Sequence, residues 1–471
     1  MSYSPYKIQI PSSVSSEFIP TEEQFEASKQ IRRFLNSTEK IFVLKGPAGT
    51  GKTSLMNFIL KDCYQRGKMI AVSAFTNQAT NLIARKTPFA VGITIYKLLG
   101  LTVDETTDTL RFKRPKEDSK KRSLVSDFDI IVLDEVSIVL DSDLNLLIKE
   151  INKMYSTTKL IIMGDRYQLE SIGQETESCA FDFENCFELK SIVRQAENSN
   201  IIRYATEVRK IQDRIDNNEK IPIRTKLKPK LNPDVNDLVL LKDSKTFLEM
   251  MLTDFKSDDY KNYPDFVKCI AYRNVTIDKI NMLIRKNIFG ENIDLITVGE
   301  NITLTSFVSD SDTGINLYDS SDCLEIVEIL ESGIYDNREN HHGVRIQFPY
   351  YRCLVTRRHD GLNGEMNIIN PNFKQKFEAD VSEWGKIIKT QEKAKDIYRL
   401  QFYPFKKKFH SVRYNYAGTS HSMQGGTYSN VYCIEDDIEQ ITKATVKGLW
   451  KSKYVAYTRA SKKLIILNRF K

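Results

Sequence analysis

An apolar run followed by a glycine-rich octapeptide near the N-terminus constrains the fold of this chain more than any other feature. Residues 41–44 have the pattern of a buried strand, GPAGTGKT occupies residues 46–53, and the residues from Lys52 onward have helical spacing. A strand, a glycine-rich turn and a helix in this order aim backbone N–H groups and the positive end of a helix dipole at an anion. The segment therefore predicts a nucleoside-triphosphate site.

The octapeptide contains each kind of group that binds a triphosphate. Its glycines let the backbone amides face phosphate oxygens, Lys52 can pair with the β- and γ-phosphates, and the Thr53 hydroxyl is a ligand for Mg²⁺. A chance glycine-rich turn is the alternative, but it does not account for the flanking strand and helix. The predicted nucleotide-binding residues here are Gly46, Pro47, Ala48, Gly49, Thr50, Gly51, Lys52 and Thr53.

Composition sets only wide limits on the partners of the chain. Its 471 residues include 69 Lys or Arg and 62 Asp or Glu, a net charge of +7 that permits a polyanionic partner without requiring one. The seven cysteines are scattered, so neither a zinc site nor a disulfide framework is predicted. No apolar run reaches the ~18 residues of a membrane span, and the N-terminus lacks a signal-peptide pattern. We therefore expect a cytoplasmic location.

A helix start precedes the octapeptide, after an N-terminal extension to which we assign no role. Thr21 can cap this helix, and Gln24 completes a capping box. The Gln24 amide, with one donor face and one acceptor face, could instead recognise adenine. The residues leave both roles open, so Gln24 is a candidate nucleotide-binding residue.

Strand and helix patterns continue to alternate after the octapeptide, which predicts a parallel sheet with ligand-binding loops at the carboxyl ends of its strands. The strand KMIAVSAF, residues 68–75, runs into a polar loop that opens a helix. Thr76, Asn77 and Thr94 are placed in such loops to contact a second ligand. Residues of these types often only cap helices, and both interpretations remain.

A strongly apolar strand, FDIIVL, ends in Asp134 and Glu135. Beside a phosphate-binding loop, such a strand end supplies one carboxylate to Mg²⁺ and a second that orients or deprotonates the attacking water. We therefore predict Asp134 as a metal ligand and Glu135 as a catalytic residue. After the next strand, KLIIMG, Gln168 can link the γ-phosphate to a second ligand, as in a sensor of hydrolysis.

A polar stretch between residues 97 and 127 has the pattern of a hairpin, with Phe112 flanked by Arg111 and Lys113. An exposed aromatic at a basic hairpin tip can stack on a nucleobase or wedge against the end of a duplex. A buried one would only anchor the hairpin. The residues themselves do not decide between the two.

Seven segments together resemble the motifs of superfamily 1 helicases, in the order and context of that family. The resemblance is greatest to the 5′-to-3′ branch that contains RecD, and within it to the helicases of T-even phages. It extends from about Pro20 to the end of the chain. The segments are GPAGTGKT, SAFTNQAT, LDEVS, GDRYQL, ELKSIVRQ, YAGTSHSMQGGTYSNVYCIE and KYVAYTRASK.

The resemblance implies an α/β fold with two RecA-like parallel-sheet domains and ATP in the cleft between them. It also implies a small hairpin insertion in the first domain and an SH3-like β module with a helical arm in the second. The expected boundaries are 1–20 for the extension, 21–96 and 127–190 for the first RecA-like domain, 97–126 for the hairpin, 191–296 and 409–471 for the second RecA-like domain, and 297–408 for the β module with its arm.

Further site residues follow from the resemblance alone. Arg194 and Arg459 would be the arginines that reach the γ-phosphate, where their charge would stabilise phosphoryl transfer. Thr419 and His421 would contact the nucleic-acid strand, and Gly425 would join the nucleotide-binding set. Phe112 matches the position of the pin that splits the duplex.

Two departures from the family pattern lie in one segment. Phe75 stands where relatives have a proline, which puts the local contact in doubt but could add stacking. Asn77 replaces a histidine of the phage helicases, so binding there could be weaker. We retain Phe75, Thr76, Asn77, Thr94, Phe112, Thr419 and His421 as the candidate nucleic-acid-binding residues.

The function implied by the resemblance is that of a Mg²⁺- and ATP-dependent DNA helicase that translocates 5′ to 3′ in phage replication or recombination. Its partners would be single-stranded and duplex DNA, with single-strand-binding and replication proteins in addition. A translocase that does not unwind, a non-hydrolysing nucleotide switch and an RNA track are the alternatives. The oligomeric state is open, a monomer included.

Overall fold

The computed structural model describes most of the chain. The described residues are 18–103, 112–113, 122–153, 156–171, 173–174, 176–193, 198–291, 293–306, 308–309, 316–318, 322–337, 343–440 and 445–469.

The strands are, in chain order, β1 (Ile41–Lys45), β2 (Ile70–Ser73), β3 (Val91–Gly92), β4 (Thr102–Val103), β5 (Phe112–Lys113), β6 (Ile130–Leu133), β7 (Lys159–Gly164), β8 (Cys186–Glu188), β9 (Leu238–Leu241), β10 (Val267–Ala271), β11 (Asn301–Leu304), β12 (Val308–Ser309), β13 (Asn316–Tyr318), β14 (Cys323–Asn337), β15 (Ile346–Arg357), β16 (Asn363–Ile369), β17 (Phe409–His410), β18 (Val412–Tyr414), β19 (Ala417–Thr419), β20 (Tyr428–Ile434) and β21 (Ala460–Leu467).

The helices are α1 (Glu22–Leu35), α2 (Lys52–Gln65), α3 (Asn77–Lys86), α4 (Ile95–Leu98), α5 (Asp141–Ile151), α6 (Asn200–Asp216), α7 (Ser244–Lys256), α8 (Asp258–Asn262), α9 (Asn274–Phe289), α10 (Lys374–Lys389), α11 (Ala394–Ile397), α12 (Tyr403–Lys408), α13 (Glu435–Glu439) and α14 (Val446–Thr458). Short 3₁₀ helices occupy Val125–Asp127, Val136–Ile138, Cys179–Asp182 and Pro371–Phe373, and a π-helical turn occupies Tyr398–Phe402.

The first sheet has the order β3-β2-β6-β7-β1-β8, and all its strands are parallel. Its central strands are continuous apolar runs because helices cover both faces of a parallel sheet. Ile131 of β6 pairs with Leu160 of β7, and Leu160 pairs with Ile41 of β1. The three loops that follow β1, β7 and β6 are therefore neighbours at one edge of the sheet.

The second sheet has the order β19-β10-β20-β21-β9 and is also parallel throughout. Its core includes the buried side chains of Trp450 and Tyr457 from α14 and of Tyr204 and Val208 from α6. Full burial of a large apolar side chain stabilises a fold by about 1.5–3 kcal/mol, so this helix pair is a main source of stability for the second sheet.

The third sheet has the order β17-β16-β15-β14-β11-β18 and is antiparallel except for the pair β16 and β17. Helices α10 and α12 cover part of it through an aromatic cluster that includes Phe348, Trp384 and Phe405. Arg285 and Glu300 form a fully buried ion pair, with 2.5 Å between Nε and Oε1. The Arg285 guanidinium also donates to the Asp294 carbonyl, so the buried charges are satisfied.

Two compact units divide the chain. The first comprises residues 1–100, 121–280 and 416–471 and contains both parallel sheets; the second comprises residues 101–120 and 281–415 and contains the third sheet. In the second unit, β4 and β5 pair antiparallel as a hairpin, with Val103 opposite Phe112. The predicted α/β fold with two parallel-sheet domains is confirmed.

Candidate nucleotide and nucleic-acid site

The phosphate loop, residues 46–53, joins β1 to α2 through two glycines in the left-handed region. Gly49 has φ 84° and Gly51 has φ 75°. A Cβ on Gly51 would lie 2.5 Å from Nε2 of Gln24, so glycine is required there by backbone conformation and by space. Lys52 and Thr53 then open α2, at the end of the helix where backbone N–H groups favour an anion.

The side-chain amide of Gln24 makes two hydrogen bonds, one at the start of its own helix and one to the phosphate loop. Its Oε1 accepts from the backbone N–H of Thr21 at 3.0 Å, which completes the predicted capping box. Its Nε2 donates to the carbonyl of Thr50 at 2.9 Å. Gln24 is buried and holds the loop in position, while its proposed contact with adenine remains a prediction.

Lys52 lies over the loop that precedes it. Its ammonium donates to the carbonyl of Gly46 and, at 3.2 Å, to the carbonyl of Pro47. An ammonium group has three N–H donors, so Lys52 can release these neutral carbonyls and donate to phosphate oxygens instead. The predicted contact of Lys52 with phosphate remains a prediction.

The acidic pair, Asp134 and Glu135, follows β6 directly. Glu135 has φ 53°, a rare conformation for a residue with a side chain, and its N–H donates to Asp134 Oδ1 at 2.8 Å. Burial, and then the charge of Glu135, raises the pKa of Asp134 to about 6, while Lys52 opposes the shift. Such a pair of like charges beside a lysine is stabilised by a cation.

These residues fit Mg²⁺. The ion is held in nucleotide sites by few protein oxygens together with phosphate and water, and Thr53 and Asp134 are of the required types. The Asp134 carboxylate is buried beside Glu135, so a bound cation would offset both the desolvation and the like charge that raise its pKa. Within the part of the chain that the structure describes, no cluster of three or more His, Cys, Asp or Glu forms a separate metal site.

Asp165, which follows β7, connects the phosphate loop to α14 of the second sheet. Its Oδ2 accepts from the N–H of Ala48 at 3.1 Å and from the hydroxyl of Tyr454 at 2.6 Å. The same N–H of Ala48 also donates to the Tyr454 oxygen at 2.9 Å. Burial and the Asp165 charge raise the pKa of Tyr454, so this hydroxyl stays protonated. Sequence reasoning did not find this junction.

One face of α14 carries further contacts from the second sheet to the segment after β7. Lys451 is buried, and its Nζ lies 2.5 Å from Glu170 Oε1. It is four residues after Lys447 and three before Tyr454. Lys447 lies 3.1 Å from Glu177. Spacings of four and three residues place all three side chains on one helix face. This polar stripe could have been read from the sequence at positions 447, 451 and 454.

Gln424 makes a second link between the two parallel sheets. It lies in the TSHSMQGG loop, residues 419–426, and its Nε2 donates to Gln168 Oε1 at 3.0 Å and to Ser137 Oγ at 3.2 Å. Ser137 is two residues after Glu135. The structure thus brings the predicted sensor Gln168 together with the loop that was predicted to contact the nucleic acid, and all three side chains are buried.

Thr419, His421 and Gly425 lie in the same TSHSMQGG loop. Thr419 Oγ1 accepts from the N–H of Ser422 at 3.0 Å, and the His421 ring packs edge-on against Tyr272. Burial lowers the pKa of His421, against the opposing charge of Glu170. Gly425 has φ 79°, and a Cβ there would lie 3.2 Å from Ala79 of α3.

Among the candidates near α3 and α4, Thr76 is the one whose side chain caps a helix in the described structure. Thr76 caps α3 by accepting from the N–H of Ala79 at 3.2 Å, and Asn77 is the first residue of that helix. Thr94 precedes α4 and makes no capping bond with its side chain. Phe75 packs edge-on against Tyr96 at 5.6 Å. Capping does not exclude the strand contact, which remains a prediction for each of them.

Arg459, just past the end of α14, is buried, and its acceptors among the described residues are neutral oxygens. Its Nη1 donates to the carbonyl of Gly426 at 3.0 Å, and its Nε to Val455 at 3.3 Å. The guanidinium therefore lies against the TSHSMQGG loop. Arg194 lies outside the described residues, and so does the side chain of Phe112, so their predicted roles have no structural counterpart here.

Together, the two parallel sheets, the phosphate loop and the acidic pair are the arrangement of a RecA-like nucleotide-binding protein. A family model described as an AAA domain matches residues 21–220. The chain is 22% identical over 460 residues to the ATP-dependent DNA helicase dda of Enterobacteria phage T4. The alignment covers 92% of this chain and 98% of that protein.

Other similar proteins include the uncharacterized protein R530 of Acanthamoeba polyphaga mimivirus, 22% identical over 516 residues, with 94% of this chain and 98% of that protein covered. Among solved structures, the Pif1 helicase from Candida albicans has a TM-score of 0.48 at 17% identity and covers 96% of this chain and 95% of that one. The predicted resemblance to an ATP-dependent DNA helicase is confirmed by the phage T4 relative.

Across the described ranges, no helix has both the length and the apolar character needed to cross a bilayer.

Proposed function

We propose that this chain is an ATP-dependent DNA helicase that moves 5′ to 3′ along single-stranded DNA and separates duplex DNA. The observation that carries the proposal is the hydrogen bond between Gln424 and Gln168. This bond joins the TSHSMQGG loop, which contains the candidate strand contacts, to the segment that follows Asp165. Asp165 in turn accepts a hydrogen bond from the phosphate loop. The name of the phage T4 relative, an ATP-dependent DNA helicase, supports the activity.

In the proposed reaction, Lys52 binds the β- and γ-phosphates and Glu135 orients a water for attack on the γ-phosphorus. The oxygen of that water bonds to phosphorus while the bond to the β–γ bridging oxygen breaks, which leaves ADP and phosphate. Arg459, and Arg194 by resemblance, would stabilise the charge that spreads over the phosphoryl oxygens. Thr53 and Asp134 would hold Mg²⁺, which neutralises phosphate charge when bound.

Two sets of contacts would transmit the state of the nucleotide to the strand. Asp165 and Tyr454 join the phosphate loop to α14, and Gln168 and Gln424 join the segment after β7 to the TSHSMQGG loop. A change of phosphate contacts at Lys52 would alter both sets at once. Thr419 and His421 would hold the strand mostly by its phosphates, so binding should weaken with salt and show little sequence preference.

The test is ATP-driven unwinding of two matched DNA duplexes, one with a 5′ and one with a 3′ single-stranded tail, with ATP hydrolysis followed in parallel. We expect separation of the 5′-tailed duplex alone. Unwinding from the 3′ tail would refute the polarity. ATP turnover without strand separation would instead identify a translocase that moves on nucleic acid, and competition by RNA of the same sequence would test the track.

Gln424→Ala tests the link between the two sites. The change leaves the buried acceptors of Gln168, Ser137 and Leu169 without their donor, at a cost of about 1–3 kcal/mol. Since 1.4 kcal/mol is tenfold in an equilibrium, we expect DNA-stimulated ATPase activity to fall by about five- to a hundredfold. ATP affinity, measured by nucleotide titration without DNA, should change by less than about threefold.

The matched control is Gln440→Ala, at an exposed glutamine that follows α13. It should leave DNA stimulation at the wild-type level. If Gln424→Ala hydrolyses ATP with the same dependence on DNA as the control, Gln424 does not couple the two sites.

A further inference from the structure

Residues 221–230, between α6 and β9, form a segment whose side chains alternate between the protein interior and solvent. Ile221 and Leu227 are buried in the core of the second sheet, with Ile223 partly buried beside them. The Thr225 N–H donates to the Pro222 carbonyl at 3.1 Å, so residues 222–225 form a turn. From Thr225 to Lys230 half-buried or buried positions alternate with exposed ones, the period of an extended chain, so the buried Leu227 fixes which side chains this part presents to solvent.

The outward positions are basic. Lys226, Lys228 and Lys230 are all exposed, and we call these three residues the basic stripe. In an extended chain, residues two apart on the same side are separated by about 6–7 Å. The stripe is therefore a row of like charges with a repeat on the scale of neighbouring phosphates along a nucleic-acid strand.

The charge of the stripe is largely uncompensated. Among the residues that the structure describes, no carboxylate lies within ion-pair distance of Lys226, Lys228 or Lys230. Arg224, in the turn before the stripe, does have an acidic neighbour: its Nε lies 3.8 Å from Glu439, which also pairs with the buried Lys453 at 2.7 Å. Like charges placed in a row repel one another, so a row without acidic partners gains energy when a polyanion binds.

The stripe is also held rigidly on the second sheet. Lys453 of α14 donates to the carbonyl of Ile223 at 3.0 Å, and Arg203 of α6 donates to the carbonyl of Lys230 at 2.9 Å. Asn200 of α6 donates to the carbonyl of Asn232 at 2.9 Å and fixes the end of the segment. A charge row that is fixed before binding loses less conformational entropy when a ligand binds.

We propose that the basic stripe is a second binding surface for the sugar-phosphate backbone of nucleic acid, separate from the TSHSMQGG loop. The choice of nucleic acid over an acidic protein follows from the regular spacing of the charges and rests on the proposed function, in which DNA is the substrate. The stripe contacts backbone phosphates only, since it offers point charges and no aromatic or amide side chains for bases. It holds a part of the DNA outside the translocation track, so that the second sheet keeps hold of the substrate while the track contacts change.

The test compares DNA binding by wild type and the triple variant Lys226→Ala, Lys228→Ala and Lys230→Ala. Fluorescence anisotropy with labelled single-stranded and tailed duplex DNA, without ATP, is measured from about 50 to 300 mM salt. Loss of three phosphate contacts should weaken binding on the order of ten- to a hundredfold near 100 mM salt. It should also make the slope of log K against log salt shallower by about 2.

The matched control is the triple variant Lys242→Ala, Lys245→Ala and Lys256→Ala, which removes the same charge from other exposed positions near the same sheet. It should bind within about twofold of wild type. The charge-preserving variant with arginine at 226, 228 and 230 should retain the affinity, which separates lost charge from misfolding.

Equal affinities and equal salt slopes for the stripe variant and the control would overturn the proposal, and would leave an acidic protein as the partner to test. Because the assay contains no ATP, it remains informative if the protein does not unwind DNA. If the triple variant binds DNA more weakly than wild type but the wild-type protein does not unwind DNA, the proposed function is refuted and the proposal for the basic stripe stands.

Discussion

Lys52→Ala is expected to lower ATP hydrolysis at saturating single-stranded DNA by on the order of a hundred- to a thousandfold. This is the effect of removing one preorganised group that stabilises the negative charge developing in the transition state. The Lys52 ammonium lies over the carbonyls of Gly46 and Pro47, at the entrance to α2. No other lysine in the phosphate loop can replace it. Unwinding should disappear with hydrolysis. Steady-state release of phosphate measures the effect.

The control is Lys61→Ala, which removes an exposed lysine from the same helix. It should hydrolyse ATP at the wild-type rate. Substantial turnover by Lys52→Ala in the same preparation, with the same dependence on DNA, would mean that hydrolysis occurs at a different site and that the phosphate loop has been misassigned.

The nucleotide side of the site could be predicted because its residues lie close together in sequence. The phosphate loop and the acidic pair each follow an apolar strand directly, and strand-helix alternation places both at the same sheet edge. The observed order β6-β7-β1 makes these loops neighbours. Local pattern and topology together therefore gave the positions of Lys52, Asp134 and Glu135.

The links between the two sheets could not be predicted in the same way. Tyr454 and Asp165 are 289 residues apart, and although Tyr454 continues the polar stripe of α14, the sequence does not show which residue that stripe meets. The Tyr454 hydroxyl matters only because the fold brings α14 to the phosphate loop. Gln424 belonged to a recognised segment, but its bonds to Gln168 and Ser137 depend on the relation of two sheets.

The basic stripe corresponds to a pattern of alternating basic residues in the sequence. In residues 221–230, IPIRTKLKPK, basic residues occupy alternate positions from Arg224 onward. Such runs are usually solvated faces, so alternation alone is weak. The structure adds that Leu227 is buried, which fixes the direction of the charged side chains. The buried pair of Arg285 and Glu300 gave no such signal, because each residue alone has the pattern of a surface charge.

Glu135→Gln is expected to bind ATP nearly as well as wild type and to hydrolyse it about a hundred- to ten-thousandfold more slowly, the range for loss of a general base. Glutamine keeps the size of the side chain and can accept a hydrogen bond, but it cannot take a proton from the attacking water. The left-handed backbone at Glu135 is equally accessible to glutamine, so the loop after β6 should keep its shape.

The same substitution removes the charge that helps to raise the pKa of Asp134. Asp134 should then ionise more readily and remain able to bind Mg²⁺, so a loss of hydrolysis would not come from a loss of metal. Single-turnover hydrolysis by rapid quench, together with titration of Mg²⁺·ATP, separates the chemical step from binding.

Glu184→Gln, at an exposed position before β8, is the charge-matched control and should hydrolyse ATP normally. Slow chemistry with intact binding in Glu135→Gln alone assigns the water-activating carboxylate. Equal loss of binding and hydrolysis would make Glu135 a structural residue of the loop, and an unchanged rate would place the base elsewhere. The unfavourable backbone conformation of Glu135 favours the first outcome, because such strain persists where function requires it.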